Sequence, residues 1–297
     1  MANNDNSELP QVDIEEALTK AAHAIKDSTA IILTSGAGLG VDSGLPDFRG
    51  PQGFWRAYPP MQKLGLRFEE MSNPQWFEKD PKFAWGFWFH RYSLYSSSTP
   101  HEGYYIMKEM AENRPHGYFV FTSNVDGHWR KTGIPDDKLE ECHGTVDFMQ
   151  CCSSCTEDIW LTTDTVKECE IDTDTFHATS PLPACKYCGK LARPNVLMFG
   201  DWSWNGSRRH EQMRNFQQFQ KQLTQQKDAK LVIIEVGAGK AVPTVRKTSQ
   251  NIAKEFNGTL IRINLRDYDM PSSVNGIGIP LGGKEALQKL KEKISTL

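Results

Sequence analysis

The chain has 297 residues, of which 38% are hydrophobic and 24% charged, and its formal net charge at pH 7 is −3. This composition is typical of a globular protein with a sizeable core, and the weak negative charge argues against non-specific binding to nucleic acid. No apolar run approaches the roughly 18 residues that cross a bilayer, so we expect no membrane partner.

Residues 1–12 lack the basic and apolar regions of a signal peptide, and we expect them to form a flexible, solvated tail. The seven cysteines are odd in number and clustered in one third of the chain. That pattern fits a metal site in a reducing compartment better than a disulfide framework. We therefore expect a cytoplasmic protein, with the nucleus as an alternative.

Four short apolar runs predict strands that are covered on both faces: Ala30–Thr34, Tyr118–Thr122, Leu231–Val236 and Thr259–Asn264. Helical patterns alternate with them, at 13–27, 103–113, 208–227, 242–256 and 284–295. This alternation predicts an α/β domain with a doubly wound, Rossmann-like parallel sheet, formed by residues 13–138 and 190–297. Residues of about 51–100 would add helical lid elements, and the aromatic side chains between Trp76 and Tyr95 are interpreted mainly as core.

The first predicted strand ends in a glycine-rich turn, Gly36-Ala37-Gly38. Without side chains, such a turn lets backbone N–H groups approach a pyrophosphate. The third glycine of the usual dinucleotide pattern is replaced by Val41, and no acidic residue ends a second strand about 20 residues on, which disfavours hydride transfer. The loop continues into Asp47, Phe48 and Arg49, groups suited to hold the nicotinamide ribose of an NAD that is consumed.

Polar or glycine-rich residues also follow the other three strands. They are Ser123, Asn124 and Asp126 after the second strand, Gly237 and Ala238 after the third, and Asn264 at the end of the fourth. Because the carboxyl ends of parallel strands lie at one edge of a sheet, we expect these residues to line one crevice. Taken alone, Asn124 and Asp126 are more typical of a local Asx-turn than of a binding site.

The middle of the chain carries two C-x-x-C pairs, Cys152 with Cys155 and Cys185 with Cys188. Four convergent thiolates are the ligands of a tetrahedral structural zinc, so residues 139–189 are predicted to form a small inserted zinc-binding module. Cys151 is the alternative to Cys152 as the first ligand. His143 precedes the module, and its imidazole, with a pKa near neutrality, could act as a general base.

Three stretches of the chain, 35–50, 122–133 and 192–201, resemble the signatures of the sirtuins, which are NAD-dependent protein deacylases. The resemblance implies deacylation of an acyl-lysine protein or peptide, with release of nicotinamide and O-acyl-ADP-ribose. It also implies that His143 is the base on a ribose hydroxyl, and that Asn124 and Asp126 contact the ribose and the nicotinamide amide. The residues that it places in the acyl-lysine channel are Val196, Phe199 and Gly200, which in that family pair with the substrate peptide.

Several positions depart from the family pattern. Polar family residues are replaced by Gly40, Ser123, Ala238 and Gly239, and each lost contact to NAD would cost about 1 kcal/mol. Tyr58 is followed three residues on by Met61 rather than by the arginine of desuccinylating sirtuins, so we expect neutral acyl groups. Two alternatives remain, an NAD glycohydrolase or mono-ADP-ribosyltransferase on the same scaffold, and a non-catalytic nucleotide-binding module.

Overall fold

The computed structural model of the chain describes residues 12–47 and 50–297. The predicted tail at 1–12 therefore lies, except for its last residue, outside the described residues. The strands are β1 (Ala30–Ser35), β2 (Tyr118–Thr122), β3 (Leu139–Glu141), β4 (Gly144–Cys151), β5 (Trp160–Leu161), β6 (Ala192–Val196), β7 (Leu231–Val236), β8 (Thr259–Ile263) and β9 (Gly276–Ile279).

The α-helices of the described residues are α1 (Ile14–Asp27), α2 (Gly50–Ala57), α3 (Pro59–Lys63), α4 (Phe68–Met71), α5 (Trp76–Lys79), α6 (Pro81–Ser97), α7 (Glu102–Glu112), α8 (His128–Lys131), α9 (Ser207–Leu223), α10 (Thr244–Glu255) and α11 (Gly283–Thr296). Asp13 caps α1 by accepting from the Glu16 N–H at 3.0 Å, a contact that fixes where this helix begins.

Six strands form one parallel sheet in the order β3-β2-β1-β7-β8-β9. Alternate side chains of each strand enter different apolar layers, as Ile31 and Ile32 of β1 do. Helices α1, α7 and α11 cover one face, and α9 and α10 cover the other. The predicted doubly wound α/β fold is confirmed.

A second, smaller lobe combines an antiparallel sheet, β5-β4-β6, with helices α2 to α6. Its core is aromatic, because α6 buries side chains around its whole circumference, including Trp85, Phe87 and Trp88. The Trp85 indole N–H donates to the Ala192 carbonyl of β6 at 3.1 Å and joins the helices to the sheet. The interpretation of the aromatic segment as core is confirmed.

The strands divide the chain differently from the predicted module limits of 139–189. β3 belongs to the large parallel sheet, whereas β6, which lies beyond 189, belongs to the small one. β3 carries two glutamates and no apolar run, and β6 contains Pro194, which suits an edge strand. Neither segment therefore has the apolar composition that predicted β1, β2, β7 and β8.

No helix within 12–47 and 50–297 combines the length and the apolar character that crossing a bilayer would require.

Candidate active site

Two glycine-containing turns, one after β1 and one after β7, are in direct backbone contact. The Gly38 N–H donates to the Gly237 carbonyl at 3.0 Å. Gly237 has φ +67°, and a Cβ on it would lie 2.2 Å from the Leu39 nitrogen. A Cβ on Gly36 would lie 2.8 Å from the Ala238 Cα. The two turns thus pack backbone against backbone, and glycine is needed at both positions because a side chain would have no room.

Asn264, just after β8, fixes the second of these turns. Its side-chain N–H donates to the Ala238 carbonyl at 2.9 Å, and its Oδ1 accepts from the Arg266 and Asp267 N–H groups at 3.1 Å. The side chain is buried and its polar atoms are used within the protein. The predicted cofactor residue Asn264 therefore stabilises the loops around the turn.

The turn after β2 brings an amide and a carboxyl to the same edge of the sheet. The Ser123 N–H donates to the Ser35 carbonyl of β1 at 3.2 Å, which places this turn directly beside Gly36. The Asn124 side chain is buried, and its amide lies beside the buried hydroxyl of Tyr104. It places a polar group at the same edge of the sheet as Gly36.

Asp126 lies in the same turn and is buried. Its carboxylate accepts from the His128 N–H at 2.9 Å, and one oxygen is 3.7 Å from the position that a Cβ on Gly40 would take. Burial outweighs this hydrogen bond and raises the pKa of Asp126 to about 6. The turn after β2 therefore reaches the residues that follow the first glycine turn.

His143 connects β3 to β4 and is half-buried. Its side chain is hydrogen-bonded to the backbone of Ser123, but burial is the larger effect and lowers the pKa of the imidazole below its ordinary value. The ring is therefore neutral at pH 7 and can accept a proton. It lines a cleft of about 490 Å³ together with Cys142, Leu197 and Trp204.

The segment after β6 forms one wall of this cleft. The buried Arg193 makes two hydrogen bonds, of 2.8 and 2.9 Å, to the carboxylate of Asp201. This pair closes the loop that carries Phe199 and Gly200. The Leu197 N–H donates to the His143 carbonyl at 2.9 Å, so the loop is also attached beside the histidine.

The predicted substrate residues are not equally accessible. Val196 is buried in the aromatic core of the small lobe, whereas Leu197 lines the cleft and Phe199 is 37% exposed. The Phe199 ring packs edge-on against Phe68 at 5.9 Å, and Gly200 has φ +68°. Sequence reasoning did not single out Leu197, the residue of this segment nearest to His143.

Asp47 is half-buried, and Phe48 and Arg49, which were predicted to hold the nicotinamide ribose, lie outside the described residues. Close to them in the chain, Tyr58 and Met61 are both buried in the small lobe.

The small lobe also contains a cation, Arg91, which the comparison of Tyr58 and Met61 with desuccinylating sirtuins did not consider. Arg91 is buried with its guanidinium 4.9 Å from the Trp88 ring centroid and 5.4 Å from that of Phe68. It also donates to the Tyr95 hydroxyl. The expectation of neutral acyl groups stays a prediction.

Four thiols converge at the end of the small sheet: Cys151, Cys155, Cys185 and Cys188. Their sulfur atoms lie within 4.8 Å of one another, with Cys151 and Cys188 at 3.7 Å and Cys155 and Cys185 at 3.6 Å. Sulfurs bound to one tetrahedral zinc at ~2.3 Å are about 3.8 Å apart. Both the donor set and the spacing therefore fit a structural zinc.

The prediction of Cys152 as a zinc ligand was wrong, because Cys151 takes that place. Cys151 is the last residue of β4, so the side chain of the next residue points to the opposite face of the sheet. The Cys152 N–H continues the pairing by donating to the Leu191 carbonyl at 3.0 Å. Burial raises the pKa of its thiol to about 12, which keeps it protonated.

The fold and the site define a nucleotide-binding α/β protein with a four-cysteine centre in a second lobe. The model of the Sir2 family matches residues 36–238 of the chain. The chain therefore belongs to the Sir2 family, the sirtuins, and the resemblance seen in the sequence is confirmed.

Curated relatives cover nearly the whole chain. An NAD-dependent protein deacylase of Pyrococcus furiosus is 31% identical over 276 residues, which are 91% of this chain and 94% of that protein. One of Leptospira interrogans is 29% identical over 265 residues, covering 88% and 91%.

Solved structures agree with this assignment. A mutant Sir2 homologue in complex with ADP ribose has a TM-score of 0.68 at 25% identity, covering 93% of this chain and 96% of that one. A Sir2 homologue in complex with NAD has a TM-score of 0.67 at 24% identity, with 93% of each chain covered, and shows the same fold.

Proposed function

We propose that this protein is an NAD-dependent protein-lysine deacylase, releasing nicotinamide and O-acyl-ADP-ribose. The observation that carries the proposal is the position of His143, a neutral imidazole joined to the backbone of Ser123 and lining a cleft beside Leu197. The deacylases of Pyrococcus and Leptospira, which match along almost their whole length, support the same activity.

The diphosphate of NAD would lie beside the two turns that contain Gly36, Ala37, Gly38, Gly237 and Ala238. The N–H groups of Gly36, Gly38 and Gly237 donate to backbone carbonyls and fix the shape of these turns. Bound NAD supplies a ribose carbon whose bond to nicotinamide is broken and a ribose hydroxyl that receives the acyl group.

Asn124 and Asp126 would orient the ribose and the nicotinamide amide, with Ser123 beside them. His143 would accept a proton from the ribose hydroxyl, because burial keeps its imidazole unprotonated. Asp47, Phe48 and Arg49 would close the nicotinamide end, and Asn264 would act through the turn that it stabilises.

The acylated segment of the substrate would bind along the loop after β6. In the described part of the small sheet, β6 is an edge strand paired only with β4. β6 itself is buried, so an extended peptide would bind along the loop that follows it, where Leu197 and Phe199 are exposed. The buried Arg193–Asp201 pair holds this loop in shape, so Leu197, Phe199 and Gly200 are placed before the substrate arrives.

The four-cysteine centre would hold zinc for structure alone. Four thiolates fill a tetrahedral zinc and leave no position for water or substrate. We also propose that the protein is cytoplasmic, and fractionation of cells that express a tagged full chain tests this.

The alternative, a glycohydrolase or ADP-ribosyltransferase, would need the NAD-binding turns but not the loop after β6. NAD consumption measured with and without an acetyl-lysine peptide separates the two. We expect consumption to require the peptide and to produce O-acetyl-ADP-ribose in equal amount. Equal turnover without peptide would instead favour the glycohydrolase. An acetyl- and a succinyl-lysine peptide of one sequence, compared in this assay, test the expected preference for neutral acyl groups.

Replacement of the proposed base should strongly reduce turnover without disturbing the fold. We expect His143→Ala to lower kcat by about 10²- to 10⁴-fold, the usual contribution of a general base. The control is His210→Ala, since His210 is an exposed histidine on α9. Full activity of His143→Ala would mean that this histidine is structural.

A further inference from the structure

The two helices on one face of the large sheet leave a groove between them. α9 presents one stripe of residues to it, spaced by four, three, one and three: Arg209, Met213, Phe216, Gln217 and Gln220. α10 presents a stripe of the same spacing: Thr244, Thr248, Asn251, Ile252 and Glu255. Such spacing is one face of each helix, so two helix faces that would ordinarily pack together border an open channel.

This channel is continuous with the candidate active site. The cleft of about 490 Å³ that contains His143 and Leu197 is the same cavity that the two stripes line. Thr244 and Glu255 both border it and are eleven positions apart on α10, which corresponds to about 16 Å along the helix axis. An extended peptide covers that length with about five residues.

The lining of the groove is apolar at its base and polar along its rims. Phe121, Phe216 and Ile252 are buried aromatic or aliphatic residues of the base. Exposed amides, Gln217 and Asn251, stand on the two sides. This pattern suits a peptide, which has both apolar side chains and a polar backbone, better than a purely hydrocarbon chain.

The charges in the groove are asymmetric. Near His143, Arg209 donates to the buried Glu140 at 3.1 Å, so those two charges compensate each other. At the far end the Glu255 side chain is exposed, and no opposite charge within 4 Å of it is found among the described residues. The far end therefore favours a cationic side chain.

We propose that this groove, here called the α9–α10 groove, binds the substrate segment that flanks the acyl-lysine. It takes about five extended residues, with apolar side chains against the half-buried Met213 and a lysine or arginine at Glu255. This inference rests on the proposed deacylase function and adds to it a preference for one class of substrate sequence.

Acetyl-lysine peptides of different length test the proposal. The shortest has one glycine on each side of the acetyl-lysine. Two others carry a five-residue extension with two leucines and a terminal arginine, on the amino or on the carboxyl side. We expect one of the extensions to raise kcat/KM by about tenfold, and a terminal glutamate in place of arginine to remove part of that gain. Equal kcat/KM for all peptides would overturn the proposal.

Bulky substitutions on the rims locate the effect in the groove. Gln217→Trp and Asn251→Trp fill it from opposite sides, and both positions are exposed, so we expect folded proteins. Each should reduce the favoured extended peptide to the kcat/KM of the short one, while the short peptide is unaffected. The matched control is Gln218→Trp, because Gln218 is an exposed neighbour on α9 outside this groove. A gain that survives both groove variants would contradict the assignment.

Fluorescence polarisation of the labelled extended peptide separates this inference from the proposed function. Binding that is lost in Gln217→Trp but kept in Gln218→Trp supports the groove even if no deacylation is detected. Normal deacylation of the short peptide, with no benefit from any extension, overturns the groove and leaves the deacylase intact. If a decanoyl-lysine tripeptide has a raised kcat/KM and Gln217→Trp removes the gain, the groove binds an acyl chain, and the proposal of a peptide occupant is overturned. If the protein forms a concentration-dependent dimer that Gln217→Trp abolishes, the groove binds a second copy of the chain, and the proposal is also overturned.

Discussion

The two sheets of this protein are stabilised in different ways. Five strands of the six-stranded sheet are buried almost throughout, and only the edge strand β9 is mainly half-buried. Helices cover both faces of this sheet, so its stability comes from apolar burial. The three-stranded sheet has one face on the aromatic helices, an edge strand with Pro194, and four thiols at its end. The sheet contributes Val146, Met149, Ala192 and Val196 to the aromatic core of the lobe, and a metal bound by the four thiols would add to its stability.

Because of this difference, the two sheets support different parts of the site, one for the cofactor and one for the substrate. The cofactor turns follow strands of the large sheet, where contact between backbones fixes their shape without any ion. The substrate loop follows β6 of the small sheet, whose other end, at Ala192, pairs with Cys151 of the cysteine centre. NAD binding and substrate binding should therefore respond differently to the same perturbation.

The largest effect should come from the zinc ligands. We expect Cys151→Ser to lose the metal and to lower deacylation by more than about 100-fold, because structural zinc contributes ~10 kcal/mol or more to the folding of small modules. Zinc content and peptide-dependent turnover measure this directly. Hydrogen exchange should rise in residues 144–196 and change little in 231–263, so NAD binding should survive better than peptide binding.

Cys152→Ser is the matched control, because its thiol is adjacent in sequence but outside the cluster. It should retain zinc and most of the activity. Zinc retained in Cys151→Ser and lost in Cys152→Ser would reverse the ligand assignment. Equal loss of exchange protection in both sheets would contradict their separate stabilisation.

A smaller effect is expected at the contact of the two glycine turns. Gly237→Ala introduces a Cβ 2.2 Å from the Leu39 nitrogen at a φ of +67°, so a backbone must move. We expect a loss of about 2–4 kcal/mol in the free energy of unfolding, from left-handed strain together with the clash, and weaker NAD binding. Thermal melts and NAD titration measure both quantities.

Gly65→Ala is the control for this change. Gly65 has nearly the same φ, +66°, but a Cβ on it meets no atom within 4 Å among the described residues. It should cost only the left-handed strain, about 1 kcal/mol, and leave NAD binding unchanged. Equal effects of the two substitutions would mean that the close approach of the turns does not matter.

Much of the large sheet could be predicted from the sequence, because β1, β2, β7 and β8 are continuous apolar runs that glycine or polar turns follow. The sequence did not predict β9, because Gly276–Ile279 has only two apolar side chains, nor β3, because two of its three residues are glutamates. Their pairing is a tertiary effect that local composition does not encode.

The site was only partly predictable, for a similar reason. The turn residues are close in sequence to their strands, but the Arg193–Asp201 pair and the exposed Leu197 depend on how the loop after β6 closes. Cys151 could have been identified from the alternation of side chains along β4, had that strand been recognised. Spacing within a C-x-x-C pair gave no information on where the strand ended.

The smallest effect concerns Asp126, which lies where the cofactor turns meet the rest of the site. Burial raises its pKa to about 6, above its ordinary value. The folded protein therefore holds this proton more tightly than the unfolded chain, and stability falls as the pH rises from about 4 through 6. At pH 7.5 the ionised carboxylate costs about 1–3 kcal/mol, since one pKa unit corresponds to 1.36 kcal/mol.

Asp126→Asn should remove that cost while its Oδ1 still accepts from the His128 N–H. We expect the variant to be more stable than the wild type by about 1–3 kcal/mol at pH 7.5, with the difference vanishing near pH 4. Denaturant unfolding at the two pH values measures this, with the exposed Asp137→Asn as control. If Asp126→Asn is more stable but has lost NAD-dependent turnover, the ionised carboxylate is required for the reaction with NAD although it destabilises the fold. A difference that is independent of pH would instead mean that packing, and not the buried charge, sets the stability at this turn.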